Sequence, residues 1–298
     1  MALGTGLNYH LREWNGDADA RHTVLLVHGF LDSSYSWQGV IDAWLANHPH
    51  ARTGLHFVAP DMRGHGDSGW VDSGGYYHFL DYLADLREVV SEVCRDRLSL
   101  VGHSMGGTIC SYYAGTYPDS IHRLVLMEGM GPLESSQDMP TRVRNWLAGW
   151  RHMRNKSPRT YDSLEAAAEQ LMRHDPLLAR DLAMKLAEHG TRVTGDGRIS
   201  FKHDPLHLTP APYPFQLAHG KEFWNAITCP VMFIEGSAST FRFGAAENER
   251  RAAMFATGEH VQGGTRRFEF RVIDGAAHMM QRHKPVELAA LLDSFVSG

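Results

Sequence analysis

A mostly parallel β-sheet flanked by helices and interrupted by a mainly helical insertion is the fold this sequence predicts. Three observations carry that expectation: short apolar runs recur along the chain, helical patterns fall between them, and the alternation stops over one long stretch. The runs at Val24 to Val27, His56 to Ala59, Leu98 to Val101, Leu124 to Met127, Val231 to Ile234 and Phe268 to Ile273 are brief and bounded by polar or glycine residues. Strands buried on both faces of a parallel sheet read this way.

The helical patterns complete the βαβ units. From Tyr82 to Cys94, apolar side chains at Tyr82, Leu83, Leu86, Val89, Val90 and Val93 recur with the spacing of one helix face. The alternation breaks between about Pro132 and Phe223, where Arg, His, Met and Trp become frequent. Within it, Ser163 is placed to cap a helix from Leu164 to Met172, and Asp175-Pro176 is expected to open another that runs through Leu186. Gly195-Asp196-Gly197 marks a turn, and the four prolines from Pro205 to Pro214 predict irregular chain. The expected organisation is a core of residues 1–131 and 223–298 with a helical cap of residues 132–222.

Composition narrows the function classes. A chain of 298 residues that is 43% hydrophobic can bury one sheet of this kind. The net charge of −5, with no basic run, argues against nucleic acid and against a polybasic membrane patch as partners. The three cysteines, Cys94, Cys110 and Cys229, are far apart and form no C-x-x-C pair, so reduced thiols in or near the core are expected. Met1 to Trp14 contains no continuous apolar run, and no segment approaches the roughly 20 apolar residues that span a bilayer. The expectation is a cytoplasmic protein, monomer or homodimer.

Chemistry concentrates at Gly102-His103-Ser104-Met105-Gly106, which follows the apolar run Leu98 to Val101 and precedes a small-residue segment. G-x-S-x-G between a strand and a helix is a nucleophile elbow, a sharp turn that holds the serine hydroxyl clear of the backbone. Upstream stand Val24-Leu25-Leu26-Val27-His28-Gly29-Phe30 and Asp61-Met62-Arg63-Gly64-His65-Gly66-Asp67-Ser68; near the end stands Val272-Ile273-Asp274-Gly275-Ala276-Ala277-His278. In this order the four segments resemble the α/β-hydrolase superfamily: oxyanion loop, D-x-R-G-x-G-x-S loop, elbow and terminal histidine. Leu186 to Thr191, Gly195 to Ser200 and His203-Asp204-Pro205 are similar to the cap of its serine hydrolase-like group.

That resemblance implies a residue set. Ser104 is the expected nucleophile and His278, at the end of the last strand, its base, because a serine hydroxyl is weak until a neighbour takes its proton. The backbone N–H groups of Phe30 and Met105 are expected to form the oxyanion hole. His28, Gly29, Asp61, Arg63 and Ser68 read as loop architecture, and Asp32 and Asp274 carry no catalytic assignment. The acid departs from the common pattern. After the strand that follows the cap the chain reads Glu235-Gly236-Ser237-Ala238-Ser239-Thr240, with Ser239 where an aspartate is expected. Glu128, just before the cap, is the first choice; Glu235, another acid, or a dyad without one are the alternatives.

The expected activity is cleavage of a carboxylic ester of a small-molecule acyl substrate through an acyl-enzyme. Thioester, lactone and C–C bond hydrolysis share its first step. Related epoxide hydrolases and haloalkane dehalogenases use an aspartate where this chain has Ser104. The histidines form no H-E-x-x-H pattern, so no metal is expected, nor is any organic cofactor. Trp146, Trp150, Met153, Tyr161 and Met172 could line an apolar pocket or simply pack. The missing aspartate leaves a rival of another class, a ligand-binding or signalling protein that keeps the fold without turnover.

Overall fold

Seven strands in the order β1-β3-β2-β4-β5-β9-β10 build the main sheet of a computed structural model that describes residues 1–16, 19–256 and 268–298. In chain order the strands are β1 (Leu11–Trp14), β2 (His22–Val27), β3 (Leu55–Pro60), β4 (Arg97–His103), β5 (Arg123–Met127), β6 (Thr160–Tyr161), β7 (Thr191–Val193), β8 (Ile199–Phe201), β9 (Val231–Gly236) and β10 (Phe268–Ile273). The helices are α1 (Gln38–Asn47), α2 (Ala51–Gly54), α3 (Phe79–Val93), α4 (Met105–Thr116), α5 (Met139–Arg154), α6 (Leu164–His174), α7 (Arg180–Gly190), α8 (Leu217–Ala226), α9 (Ala245–Ala256), α10 (Met280–His283) and α11 (Pro285–Val296). All pairings in the main sheet are parallel except that of β1 with β3.

The apolar runs become strands because alternate side chains can be buried on opposite faces. On one face Leu25, Val27, Leu100 and Leu126 pack with Leu86 and Val89 of α3, Ile109 of α4 and Trp224 of α8. On the other, Val24, Leu26, Val101 and Val125 pack with Ile41 and Trp44 of α1 and Leu288 and Leu292 of α11. Burial of each large apolar side chain contributes about 1.5–3 kcal/mol, which is why β2 and β3 contain no exposed residue. β1 escapes the apolar-run criterion because its Leu-Arg-Glu-Trp sequence is only half-buried at the sheet edge.

Between β5 and β9 the insertion has its own small core, where Tyr161, Ala167, Ala168, Leu178, Ala183, Leu186 and Ala187 meet. It differs from the expected helical stretch in containing a three-stranded antiparallel sheet, β6-β8-β7. Strands of two or three residues, with Arg192 and Val193 exposed, leave no apolar run to read. The Gly195 to Gly197 turn is their hairpin, closed by Thr194 N–H on the Arg198 carbonyl at 2.8 Å.

Ser163 caps α6 by accepting the Ala166 N–H at 3.2 Å, an interaction worth about 1 kcal/mol. Asp175-Pro176 opens no helix. Asp175 instead ends α6, donating its N–H to the Leu171 carbonyl at 2.9 Å, and α7 starts at Arg180. The proline-rich segment is irregular apart from one 3-10 turn, Pro205–Leu208, capped by Asp204. α8 spans the expected boundary at 222/223 and lies along α4, with Trp224 Nε1–H donating to Ser111 Oγ at 3.0 Å.

Candidate active site

Ser104 stands between β4 and α4 at φ 52° and ψ −117°, a left-handed conformation that L-residues reach at a cost of about 1–3 kcal/mol. The turn is held from both sides. Ser104 N–H donates to the Met127 carbonyl at 2.8 Å, and a Cβ on Gly106 would lie 2.3 Å from the Val27 carbonyl oxygen, so only glycine fits there. The half-buried Ser104 hydroxyl makes no hydrogen bond to a described residue.

Glu128 sits beside it, immediately after β5. Its backbone is also left-handed, at φ 46°, and its N–H donates to the Ile234 carbonyl of β9 at 2.9 Å. Three donors converge on the buried carboxylate: Gly236 N–H reaches Oε1 at 3.0 Å, while Ser239 Oγ and His278 Nδ1 reach Oε2 at 2.8 and 2.5 Å. Burial by itself would raise the Glu128 carboxyl, but the bonds from His278, Gly236 and Ser239 hold it below its ordinary value. With Nδ1–H donating to the carboxylate, Nε2 of His278 carries the lone pair that a general base needs.

The His278 ring is packed on two sides. Phe241 stacks on it at 4.2 Å between centroids, and the ring of His103, next to Ser104, lies 4.7 Å away. His103 also donates from Nε2 to the His278 carbonyl at 2.9 Å.

The loop after β2 lies against Ser104: a Cβ on Gly29 would fall 2.7 Å from His103 Nδ1 and 3.2 Å from Ser104 Cβ. Two buried histidines orient it. His28 donates from Nδ1 to the Gly29 carbonyl at 2.7 Å and accepts the Met62 N–H on Nε2 at 2.9 Å. The Gly29 carbonyl and the Phe30 N–H belong to one planar trans peptide, so fixing one points the other the opposite way. Leu31, at φ 55°, turns its own N–H to His65 Nε2 at 3.2 Å, and His65 Nδ1–H is spent on the Arg63 carbonyl at 3.0 Å. Burial, reinforced by His207 and His28, keeps His65 well below its ordinary value and hence neutral, as its acceptor role requires. The N–H groups of Phe30 and Met105 find no acceptor among the described residues.

The strained serine between strand and helix, the carboxylate–histidine pair and the two unspent backbone donors accompany a sequence match: residues 22–187 match the family model described as the alpha/beta hydrolase fold. The chain belongs to that family. A serine hydrolase-like protein of Dictyostelium discoideum is 24% identical over 251 residues, covering 83% of this chain and 68% of that protein. Another, of Danio rerio, is 31% identical over 185 residues, 61% of this chain and 54% of its own length. Among solved structures, the thioesterase domain from the curacin biosynthetic pathway superposes with a TM-score of 0.79 at 23% identity, covering 98% of this chain and 97% of that one. At that identity the likeness is one of fold.

The remaining expected residues of this α/β-hydrolase lie apart from the serine. Glu235, on β9, is buried but faces Arg242, at 2.6 Å, and Asn248, at 2.9 Å, and no bond joins it to His278. Asp274 accepts from Ser237 Oγ at 2.9 Å, and Asp32 pairs with Arg282 at 2.7 Å. Asp61 accepts the N–H groups of Ser34 and Asp67 at 2.7 and 2.9 Å, while Arg63 holds Asp85 bidentately at 2.6 and 2.7 Å. Trp146, Trp150 and Met153, all partly buried, pack against the main core, while Tyr161 lies in the insertion's core and Met172 packs against it. Phe241 is the aromatic ring that meets His278, and nothing in its sequence context distinguishes it.

Among the described residues, His10, Asp61 and Asp67 bring three ligand-type atoms within 4.8 Å of one another. Asp61 Oδ2 is already bound by His10 at 3.0 Å and Asp67 by Lys202 at 2.8 Å, so the set forms an ion-pair cluster. Among the described residues no disulfide joins Cys94, Cys110 and Cys229, and no helix is long and apolar enough to cross a membrane.

Proposed function

We propose that this protein is a serine hydrolase that cleaves a carboxylic ester, or a closely related acyl bond, of a small molecule through an acyl-enzyme. The observation that carries the reading is the 2.5 Å hydrogen bond from His278 Nδ1 to Glu128 Oε2 beside the Ser104 elbow. In the first half-reaction Ser104 Oγ attacks the carbonyl carbon while His278 Nε2 takes its proton. Glu128 stabilises the imidazolium that forms. The oxyanion is received by the N–H groups of Phe30 and Met105, where loss of one donor typically costs about 10²–10³ in rate.

The tetrahedral adduct collapses as His278 returns the proton to the leaving oxygen. Water, deprotonated by the same nitrogen, then attacks the ester of Ser104 and restores the free serine. Residues 132–222 serve in this reading as a cap. Support comes from His207 of the insertion, whose ring lies 4.1 Å from that of His65 and 6.1 Å from that of Phe30.

The test is intact mass after incubation with a serine-directed fluorophosphonate, followed by peptide mapping, beside p-nitrophenyl ester turnover. One adduct on Ser104, absent together with turnover in Ser104→Ala, is the expected result. Folded protein that takes no adduct and turns over no ester, thioester or lactone would overturn the reading in favour of a binding protein.

A further inference from the structure

A second carboxylate–histidine pair lies behind the first and joins the insertion to the loop that carries His278. Asp175, at the joint between α6 and α7, accepts from His283 Nε2 at 2.7 Å. His283 belongs to α10, and its other ring nitrogen, Nδ1, accepts the N–H of Ala277 at 3.2 Å. Ala277 immediately precedes His278. Because Nδ1 receives a hydrogen bond, the ring proton is on Nε2, aimed at Asp175, and the three groups form one directed chain.

Both side chains are more than nine-tenths buried, with exposures of 3% for His283 and 8% for Asp175. A buried carboxylate is costly to maintain unless it is hydrogen-bonded, and Asp175 Oδ1 spends its bond on His283 rather than within the insertion. Among the described residues its Oδ2 has no hydrogen-bond partner; it lies 3.9 Å from Arg282, the residue that also pairs with Asp32 in the loop after β2. The backbone on the other side of the base is held as well, since His103 binds the His278 carbonyl. The main chain at His278 is therefore fixed by two histidines, one on the elbow and one under the control of the insertion.

We propose that Asp175 is a positioning residue: by holding His283, it lets the seated insertion set the backbone of the catalytic base, so that a displaced cap leaves His278 misplaced. This rests on the serine hydrolase reading for its catalytic consequence. The contact itself has an independent readout, the hydrogen exchange of the Ala277 amide.

The experiment compares wild type, Asp175→Ala and Asp175→Asn by Ala277 amide exchange, by the rate of fluorophosphonate labelling of Ser104, and by ester kinetics, with folding checked by circular dichroism. In Asp175→Ala the amide is expected to exchange about tenfold faster. Labelling and kcat should both fall roughly fivefold or more, with KM unchanged, as a misplaced base predicts. Asp175→Asn, whose amide oxygen can still accept from Nε2–H, should recover most of that loss.

Folded Asp175→Ala with wild-type exchange and wild-type labelling would overturn the proposal, as would an Asn variant no better than Ala. Should Asp175→Ala not fold, His283→Asn cuts the same link, and labelling at the wild-type rate in that variant would overturn it. If the wild-type protein itself takes no label, the hydrolase reading fails, and the exchange comparison alone decides whether Asp175 holds the loop.

Discussion

The carboxylate of Glu128 and the imidazole of His278, 150 residues apart in sequence, share a 2.5 Å hydrogen bond, whereas Glu235 on the neighbouring strand end is turned to Arg242 and Asn248. The two glutamates therefore separate in experiment. Glu128→Gln should keep the fold and lower kcat by about 10³–10⁴, because it removes the charge that supports protonated His278. Glu235→Gln should leave kcat within about fivefold and show its cost in thermal stability, since it removes the charge that the buried carboxylate pairs with exposed Arg242 and bonds to Asn248. Steady-state kinetics and melting curves on the pair check both, and the reverse pattern would reassign the acid.

Ser239 occupies the place where the common superfamily pattern has an aspartate, and it donates to Glu128 Oε2 at 2.8 Å while accepting the Phe241 N–H at 3.1 Å. Ser239→Ala removes one of the three donors that keep Glu128 ionised. Hydrogen bonds to charged groups contribute about 1.5–3 kcal/mol, so kcat should fall roughly tenfold with KM little changed. Unaltered kcat would show that His278 and Gly236 suffice.

Gly29→Ala tests the proposed oxyanion role of the loop after β2. Its Cβ would meet His103 Nδ1 at 2.7 Å, so the loop must shift away from Ser104 and carry the Phe30 N–H with it. A loss in kcat of about 10²-fold is expected, with weaker binding of a boronate that mimics the tetrahedral adduct. Full activity in that variant would place the second oxyanion donor elsewhere.

Asp61 gives a pH prediction. Burial would raise its carboxyl, but the bond from His10 and the N–H groups of Ser34 and Asp67 bring it down to about 2. A carboxyl whose folded value lies below its unfolded value of about 3.9 stabilises the fold above that pH and loses the effect as pH falls. The difference amounts to about 2–3 kcal/mol at neutral pH. Asp61→Asn should therefore be less stable than wild type at pH 7, with a gap that narrows as pH falls from about 4 towards 2. Denaturant titrations across that range provide the check; a gap that widened on acidification would contradict it.

Much of the site is legible in the chain because its parts are local. The elbow needs glycine beside Ser104, where a side chain would strike the Val27 carbonyl, and that requirement is written in five consecutive residues. Ser163 marks the start of α6 because an N-cap acts within three residues. The parts that escape are those whose partners are distant. His65 lies inside the motif from Asp61 to Ser68, yet its service to Leu31 depends on the packing of one loop on another. Asp175-Pro176 looks like a helix start by local rules, and the side chain is taken instead by His283, 108 residues away.

By itself the sequence determined the parallel sheet, the strained serine and the histidine at the end of the last strand, since alternation of apolar residues and the sterics of a tight turn are short-range constraints. Only the tertiary structure decided which glutamate meets His278, which histidines orient the Phe30 peptide, and how the insertion reaches the loop before His278. Those choices turn on hydrogen bonds whose directions exist only once separate strands and loops are packed together, and a run such as Met127-Glu128-Gly129 or Ile234-Glu235-Gly236 is locally the same until then.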